Sequence, residues 1–375
     1  MSGEADHRVE RGPSDKRTIG RPESTVIAGL GPHGEAAASA DEWYISDDIA
    51  ERARAARFSV AVVLHTTSSD WANQQLAGIL TTLQRYGARV DVVADCRWQS
   101  DREIAALRDV IAARPDALIS VPLDNAAMAD TYRAVAAAGI KVVLMDNAPV
   151  GLKAGRDYAT IVSSDNLGNG QVAAELLAAH LSPGSAAGAM AFGGSFYATT
   201  EREIGFRKWL HQHRPDVSLR RIQFPNIEAA GDVAVAFLEA NPDIDGLFVV
   251  WDEPAMQVVR ALRSRGLHVP ITTIDLGNEV ALEIAGGDMI SGVGTQRPYD
   301  HGVAEALATI LTLSGVEPPP WIAVPALAVT RATVLADYEL VWHMPAPPEL
   351  REAMRRSDAA RPHGEDRQGP PAGGS

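Results

Sequence analysis

From residue 58 to about residue 313 the chain alternates short, mostly apolar runs with longer amphipathic stretches. The runs fall at 58–64, 90–93, 117–121, 140–144, 159–162, 187–192, 218–222, 246–250, 271–274 and 290–293. Helical spacing of apolar positions fills the intervals at 71–86, 101–113, 125–138, 167–180, 201–212, 229–240, 253–265, 278–285 and 299–314. Short apolar runs predict strands buried on both faces, and their alternation with helices predicts βαβ units, parallel sheets and right-handed crossovers. The segment 315–325, with Pro318, Pro319 and Pro320, is excluded from a helix interior and leads to a last apolar strand at 326–330. Residues 41–57 predict a short amphipathic helix, with Trp43, Tyr44 and Ile45 packing on the body. Residues 1–40 and 356–375 are rich in Gly, Ala, Ser, Pro and charge, and are expected to be disordered. No fixed-period repeat exists beyond the βα alternation.

The stretch 140–170 organises the rest. Its first strand stops abruptly at Asp146 and Asn147, polar groups at a strand's carboxyl end, where open α/β sheets hold ligands. After a Pro/Gly loop and the strand at 159–162 come Ser163, Ser164, Asp165 and Asn166, a helix-capping cluster. This reads as the end of one lobe, a ligand-facing carboxylate and a hinge strand into a second lobe.

Other strand ends repeat the arrangement. Asp275 follows the run 271–274, and two strand-end carboxylates from different halves can converge across a cleft, accepting hydrogen bonds from vicinal hydroxyls. The alternative for each is a cap or turn. The first strand runs into a small polar loop and Trp71, whose indole offers a flat apolar face to sugar C–H groups; the commoner use of such a stretch is a helix-capping loop with a core Trp. Arg202 lies in the first turn of a helix, where it reaches a ligand or pairs with a nearby acid. Trp251 and Asp252 end another strand, as pocket groups or as a core indole and a helix cap. Gln296 follows the penultimate strand as a neutral hydrogen-bonding side chain or an ordinary loop residue.

Composition narrows the function classes. A formal net charge of −14 with no Lys/Arg-rich run argues against a nucleic-acid-binding face. Cys96 is the only cysteine, which excludes an intrachain disulfide and a cysteine-cluster metal site. No apolar stretch is long enough to span a membrane, and the polar first residues do not read as a secretory signal. The ten His are scattered without paired metal spacing, and no dinucleotide fingerprint, phosphate loop or nucleophile elbow is present, so no cofactor and no catalysis are expected.

Several of these residues, in this order, resemble the type I periplasmic binding proteins, in particular the ribose/galactose-binding branch of sugar-transport solute receptors. The resemblance covers residues 58–331. It rests on Trp71 after the opening strand; Leu144, Met145 and Asp146; Val162 to Asn166; Glu201 to Phe206; Trp251, Asp252 and Glu253; Ile274 to Gly277; and Gln296, Arg297 and Pro298. It implies an α/β fold of two similar parallel-sheet lobes joined by three crossing strands, near residues 163–165, Gln296 and Leu327. Lobe 1 would comprise 58–164 plus 297–326, and lobe 2 would comprise 165–296 plus 327–340. By matched position Trp71, Asp146, Arg202, Asp252, Asp275 and Gln296 would face a small sugar or polyol. A membrane permease of an ABC transporter would be the partner, and the cell envelope or periplasm the location. The chain departs from the pattern at Ser68, Ser69 and Asp70, at Asn147 where an Arg is usual, and at Trp251 where an Asn is usual. One cation fewer and one indole more imply a ligand other than ribose. The same lobes also form the sensor of lactose-repressor-type regulators, so a cytoplasmic effector-binding sensor is the alternative. Pro and Gly recur through residues 12–34, which argues against a helix-turn-helix there.

Overall fold

The computed structural model describes residues 27–194 and 197–360. It is built on two sheets. The first takes β1 (Ala37–Ser39), β2 (Ser59–Leu64), β3 (Arg89–Asp95), β4 (Ala117–Ser120), β5 (Lys141–Met145) and β6 (Thr160–Ser164), with β12 (Trp321–Val324) returning late in the chain. Its order is β1-β12-β6-β5-β4-β2-β3, parallel throughout. The second takes β7 (Ala186–Phe192), β8 (Ser218–Phe224), β9 (Ile244–Val249), β10 (Ile271–Ile274), β11 (Ile290–Thr295) and β13 (Leu327–Thr330), ordered β13-β11-β10-β9-β7-β8. Only β13 is antiparallel, along β11. Central strands such as β2, β4 and β6 are buried along their whole length, as their apolar runs predict.

The helices are α1 (Asp47–Ala56), α2 (Asp70–Arg85), α3 (Ser100–Ala113), α4 (Ala129–Ala137), α5 (Asn166–Ala178), α6 (Tyr197–His213), α7 (Ala230–Ala240), α8 (Asp252–Ser264), α9 (Asn278–Gly286), α10 (Pro298–Leu313), α11 (Val334–Trp342) and α12 (Pro348–Ala360). The chain passes between sheets three times: from β6 into α5, from β11 into α10, and from β12 to β13. Asp165 caps α5, its carboxylate accepting from the Gly168 N–H at 2.9 Å.

One close helix contact in each lobe positions the residues treated below. In the first lobe α2 meets α10 where a Cβ on Gly78 would lie 2.2 Å from the Tyr299 carbonyl oxygen, and one on Gly302 would lie 2.0 Å from that of Gln75. In the second, α5 meets α6 where a Cβ on Gly170 would lie 2.0 Å from the Arg202 carbonyl oxygen, and one on Gly205 would lie 2.1 Å from that of Leu167. The backbones touch because neither helix carries a side chain at the crossing.

Four expectations are corrected. Residues 27–40, expected to be disordered, pack onto the first lobe: Ala37–Ser39 pairs with β12, and the N–H groups of Ala28 and Gly29 donate to the Asp165 carboxylate at 2.6 and 3.1 Å. The pairing is non-local, so small-residue composition did not reveal it; residues 1–26 lie outside the described residues. The stretch 315–325 contains the buried strand β12, whose Trp-Ile-Ala-Val run lies between Pro320 and Pro325. Residues 356–360 belong to α12, while 361–375 lie outside the described residues. The helix expected at 41–57 is the shorter α1; Trp43 and Ile45 pack on the core, but Tyr44 stays exposed.

Gly205→Ala is expected to lower the unfolding free energy by about 2 kcal/mol or more, because backbone cannot yield as a side chain does. Gly286→Ala, where a Cβ meets nothing within 4 Å, should leave it unchanged or raise it by up to about 1 kcal/mol. Urea unfolding of the two variants measures the difference.

Candidate functional site

β5 and β10 end in the same way. Asp146 follows β5 at φ 55° and Asp275 follows β10 at φ 74°, both left-handed. Each still donates its N–H to the neighbouring strand, Asp146 to the Val162 carbonyl at 2.8 Å and Asp275 to that of Gly294 at 3.1 Å. The left-handed turn thus comes one residue after the last strand residue. For a residue with a Cβ this conformation costs of order 1 kcal/mol or more, and it is concentrated at functional sites.

Asp275 is the hub of a polar network. Its carboxylate accepts from the Arg202 guanidinium at 3.4 Å and from Gln296 Nε2 at 2.8 Å. Arg202 is 5% exposed and also donates to Asn166 Oδ1 at 3.0 Å and to the Val250 carbonyl at 3.5 Å. Gln296 Oε1 accepts from Ser164 Oγ at 2.8 Å, tying the second crossing to the first. Ser164 Oγ in turn lies 3.2 Å from His301 Nε2, and His301 Nδ1 lies 3.9 Å from Asp146 Oδ1. A continuous polar chain therefore runs from the Asp of one lobe, through two crossings, to the Asp of the other.

Burial pushes the Asp146 carboxyl up to about 7; Arg202 pulls it down and Asp275 pushes it up, which places all three within electrostatic reach. The side chain keeps 24% of its surface open, and that water contact offsets part of the burial. Asp252, the first residue of α8, is also pushed up, to about 8, by burial and then by repulsion from Asp275 and Glu253. Trp71 reaches the cluster edge-on to His301, ring centres 6.0 Å apart, and its buried Nε1 has no hydrogen-bond partner. His65 lies 6.2 Å from the Trp71 ring and 4.4 Å from that of Trp98.

The structure thus brings Asp146, Arg202, Asp252, Asp275 and Gln296 together, with Trp71 joined through His301. Trp251 packs edge-on to Phe192 at 5.5 Å and beside Phe224 at 5.4 Å, so its indole is held by aromatic neighbours. Asn147 is turned into its own loop, its Oδ1 accepting from Asn125 Nδ2 at 2.7 Å and from the Ala148 N–H at 3.1 Å. His301, Ser164 and Asn166 escaped the sequence reading as site residues. The last two belong to the capping cluster, and nothing in the pattern separates His301 from the other scattered histidines. An open cavity of about 360 Å³, bordered by Lys141, Tyr158 and Glu317, lies elsewhere, at the amino ends of the first sheet's strands. The strand-end carboxylates do not line it. Among the described residues no group of three or more His, Cys, Asp or Glu is placed to hold a metal ion, and no helix is long and apolar enough to cross a membrane.

The profile of the periplasmic binding protein domain matches residues 60–313, more than half of the chain. The chain belongs to the periplasmic binding protein family. The ribose import binding protein of Bacillus subtilis is 26% identical over 241 residues, 64% of this chain and 77% of that one. Its Escherichia coli counterpart is 24% identical over 213 residues, 56% and 70% of the two chains. Among solved structures, an ABC transporter solute-binding protein from Agrobacterium vitis bound with α-D-tagatopyranose superposes with a TM-score of 0.67 at 19% identity, over 77% of this chain and 100% of that one. A periplasmic ribose ABC transporter protein from Conexibacter woesei gives 0.69 at 16% identity, over 76% and 94%. These likenesses show the shared two-lobed α/β fold.

The raised Asp146 makes stability depend on pH. The folded state holds this proton more tightly than the unfolded chain, so the group's contribution is complete below its ordinary value of 3.8 and is lost as pH rises to about 7. Asp146→Asn removes that loss. The variant is expected to exceed the parent by about 2 kcal/mol at pH 8, after discounting for the open part of the carboxyl, and the two should converge below pH 4. Chemical unfolding across that range checks it.

Proposed function

We propose that this chain binds a small carbohydrate or polyol, without catalysis, between its two lobes, as the solute-binding component of an ABC sugar transporter. The observation that carries this reading is that two carboxylates from strand ends of different sheets belong to one polar chain: Asp275 pairs with Arg202 and Gln296, and Asp146 lies beside His301, which reaches Gln296 through Ser164. A sugar hydroxyl both donates and accepts, so a cleft offering carboxylates beside a guanidinium and an amide suits adjacent hydroxyls. Trp71 and Trp251 supply indole faces for the C–H surface of a ring. The named activities of the ribose import relatives, and the sugars bound in related structures such as D-arabinose in the protein from Agrobacterium radiobacter, support the ligand class.

Asn147 and Trp251 bear on which sugar. With Asn147 turned toward Asn125, Arg202 is the one guanidinium in the network described above, and it is already paired with Asp275. A polyol, a deoxy sugar or a modified sugar fits that balance better than ribose. Ligand held by both lobes favours a closed arrangement about the three crossings, and a permease would read that closed form from outside the cytoplasm.

A thermal-shift screen of the purified chain against pentoses, hexoses, polyols and deoxy sugars tests the reading. A ligand at about a thousand times its dissociation constant adds roughly 4 kcal/mol, a rise of several degrees. Asp275→Asn should abolish the rise. A folded protein whose melting temperature no sugar or polyol moves would sink the proposal.

A further inference from the structure

Residues 27–41 precede the core strands of both lobes and are bonded to both. Toward the first lobe, Ala37–Ser39 pairs with β12, and the Tyr158 hydroxyl, just ahead of β6, donates to Glu35 Oε1 at 3.3 Å. Toward the second, the Tyr197 hydroxyl of α6 donates to the Leu30 carbonyl at 3.0 Å, and the Ala28 and Gly29 N–H groups donate to Asp165 at the head of α5. The chain between Leu30 and Glu35 holds no slack. It is closed into a turn, with the Gly31 N–H donating to the Glu35 carbonyl at 2.9 Å and the Gly34 N–H to that of Gly31 at 2.8 Å.

The fit is close. A Cβ on Gly31 would lie 3.0 Å from Cγ of the buried Trp321 in β12, and one on Gly29 would lie 2.9 Å from Asp165 Oδ1 and 3.4 Å from Leu167 Cβ in α5. Residues 29–31 therefore sit where a strand of the first lobe meets a helix of the second. Asp165 is buried, and of the three N–H groups that donate to its carboxylate two belong to this segment. Undocking would leave those lone pairs without their donors, which favours the docked state.

The lobes stand close together in this arrangement. Asp146 of the first lobe is within electrostatic reach of Arg202 and Asp275 of the second. The end of α11, carried by the second lobe, meets α10 of the first: His343 Nε2 lies 3.0 Å from Asp300 Oδ1, and the His343 and Tyr299 ring centres are 4.0 Å apart.

We propose that residues 27–41 form a strap that ties the two lobes together and biases the ligand-free protein toward the arrangement in which their strand-end carboxylates approach. Opening the cleft breaks the Tyr197–Leu30 bond, opens the turn at Gly31, or pulls Ala28 and Gly29 off Asp165. A protein whose binding-competent arrangement is only fractionally populated loses affinity by that fraction, so the strap strengthens binding of whatever the cleft holds. Its first measurement needs no ligand, so this inference and the sugar-binding reading fail separately.

The test is small-angle X-ray scattering of the ligand-free full chain, with hydrogen exchange over residues 27–31. Gly31→Leu wedges the segment off Trp321, and Tyr197→Phe removes its bond to α6; neither substitution touches the strand-end carboxylates or Arg202. The Ala28 and Gly29 amides should be protected in the wild type and lose protection about tenfold or more in Gly31→Leu. The radius of gyration should rise in Gly31→Leu and rise less in Tyr197→Phe. Calorimetric titration with D-ribose and D-arabinose adds a functional arm: a sugar that binds the wild type should bind Gly31→Leu about 3- to 10-fold more weakly. An unchanged radius in a Gly31→Leu chain that has lost protection overturns the proposal. A smaller radius also overturns it, since the segment would then prop the lobes apart, and so do unprotected Ala28 and Gly29 amides in the wild type. Unchanged affinity beside an enlarged radius overturns the effect on binding and supports the tether. Failure of both sugars to bind counts against the sugar reading, while scattering still decides the strap. If Gly31→Leu does not fold, or keeps its protection, Tyr197→Phe, which loses only a hydroxyl, decides by the same radius.

Discussion

Backbone contact between helices is the constraint on which the site depends. Where α5 crosses α6, Gly170 leaves no room for a Cβ against the Arg202 carbonyl, and Gly205 leaves none against that of Leu167. Where α2 crosses α10, Gly78 and Gly302 do the same against Tyr299 and Gln75. The consequences are parallel. The first contact fixes the backbone of Arg202 itself, so a long, flexible side chain starts from an immobile point and reaches Asp275, Asn166 and the end of β9. The second fixes the residue next to His301, so a buried imidazole is held against Ser164. Overpacking either crossing by one methyl group moves Arg202 or His301 as well as a helix.

The fold was legible because apolar runs and amphipathic stretches alternate with little interruption from β2 to α10. The strand-end carboxylates were legible for a related reason: a buried run that stops on an acid places that acid at a strand's carboxyl end. Asp146 and Asp275 are such cases. What sequence could not disclose depends on contacts distant in the chain. The pairing of β1 with β12 joins residues about 280 positions apart; β1 has no apolar run to announce it, and the four-residue run of β12 sits between prolines at 320 and 325. His301 lies in the first turn of α10 and joins the polar chain only because Ser164 and Asp146, from an earlier strand and strand end, come up against it. Asn147 is the converse case. Its position beside Asp146 suggested the cleft, but Asn125 offers its amide a partner inside the same lobe, and the side chain takes it.

The electrostatics of the cluster follow from its burial. Arg202 is shared between Asp275 and neutral acceptors, while Asp146 and Asp252 are both pushed upward by desolvation with Asp275 adding repulsion. Behind them Glu305 is fully buried, and its pKa is pushed well above the usual carboxylate range by burial and then by Asp146; one oxygen accepts from Gln75 at 2.6 Å and the other has no partner. Several acids gathered around one cation cannot all ionise without water or donors. Hydroxyl groups arriving between the lobes supply such donors without adding charge, which is why this arrangement favours a polyhydroxylated ligand over an anion.

The segment ahead of the first core strand bears on how the lobes move. Ala28 and Gly29 donate to Asp165, the residue that caps α5 at the first crossing. Asp41 pairs with Arg297 at 2.8 Å, at the second crossing. β1 pairs with β12, the strand that leads to the third. Tyr197, at the start of α6, donates to the Leu30 carbonyl at 3.0 Å, so the segment also touches the second lobe directly. Rotation of one lobe against the other acts through the three crossings, and this segment is bonded to groups at each of them. A hinge motion must therefore carry the segment with it or break those bonds, and the bonds to the buried Asp165 are the costlier to break, because a desolvated carboxylate would lose two donors.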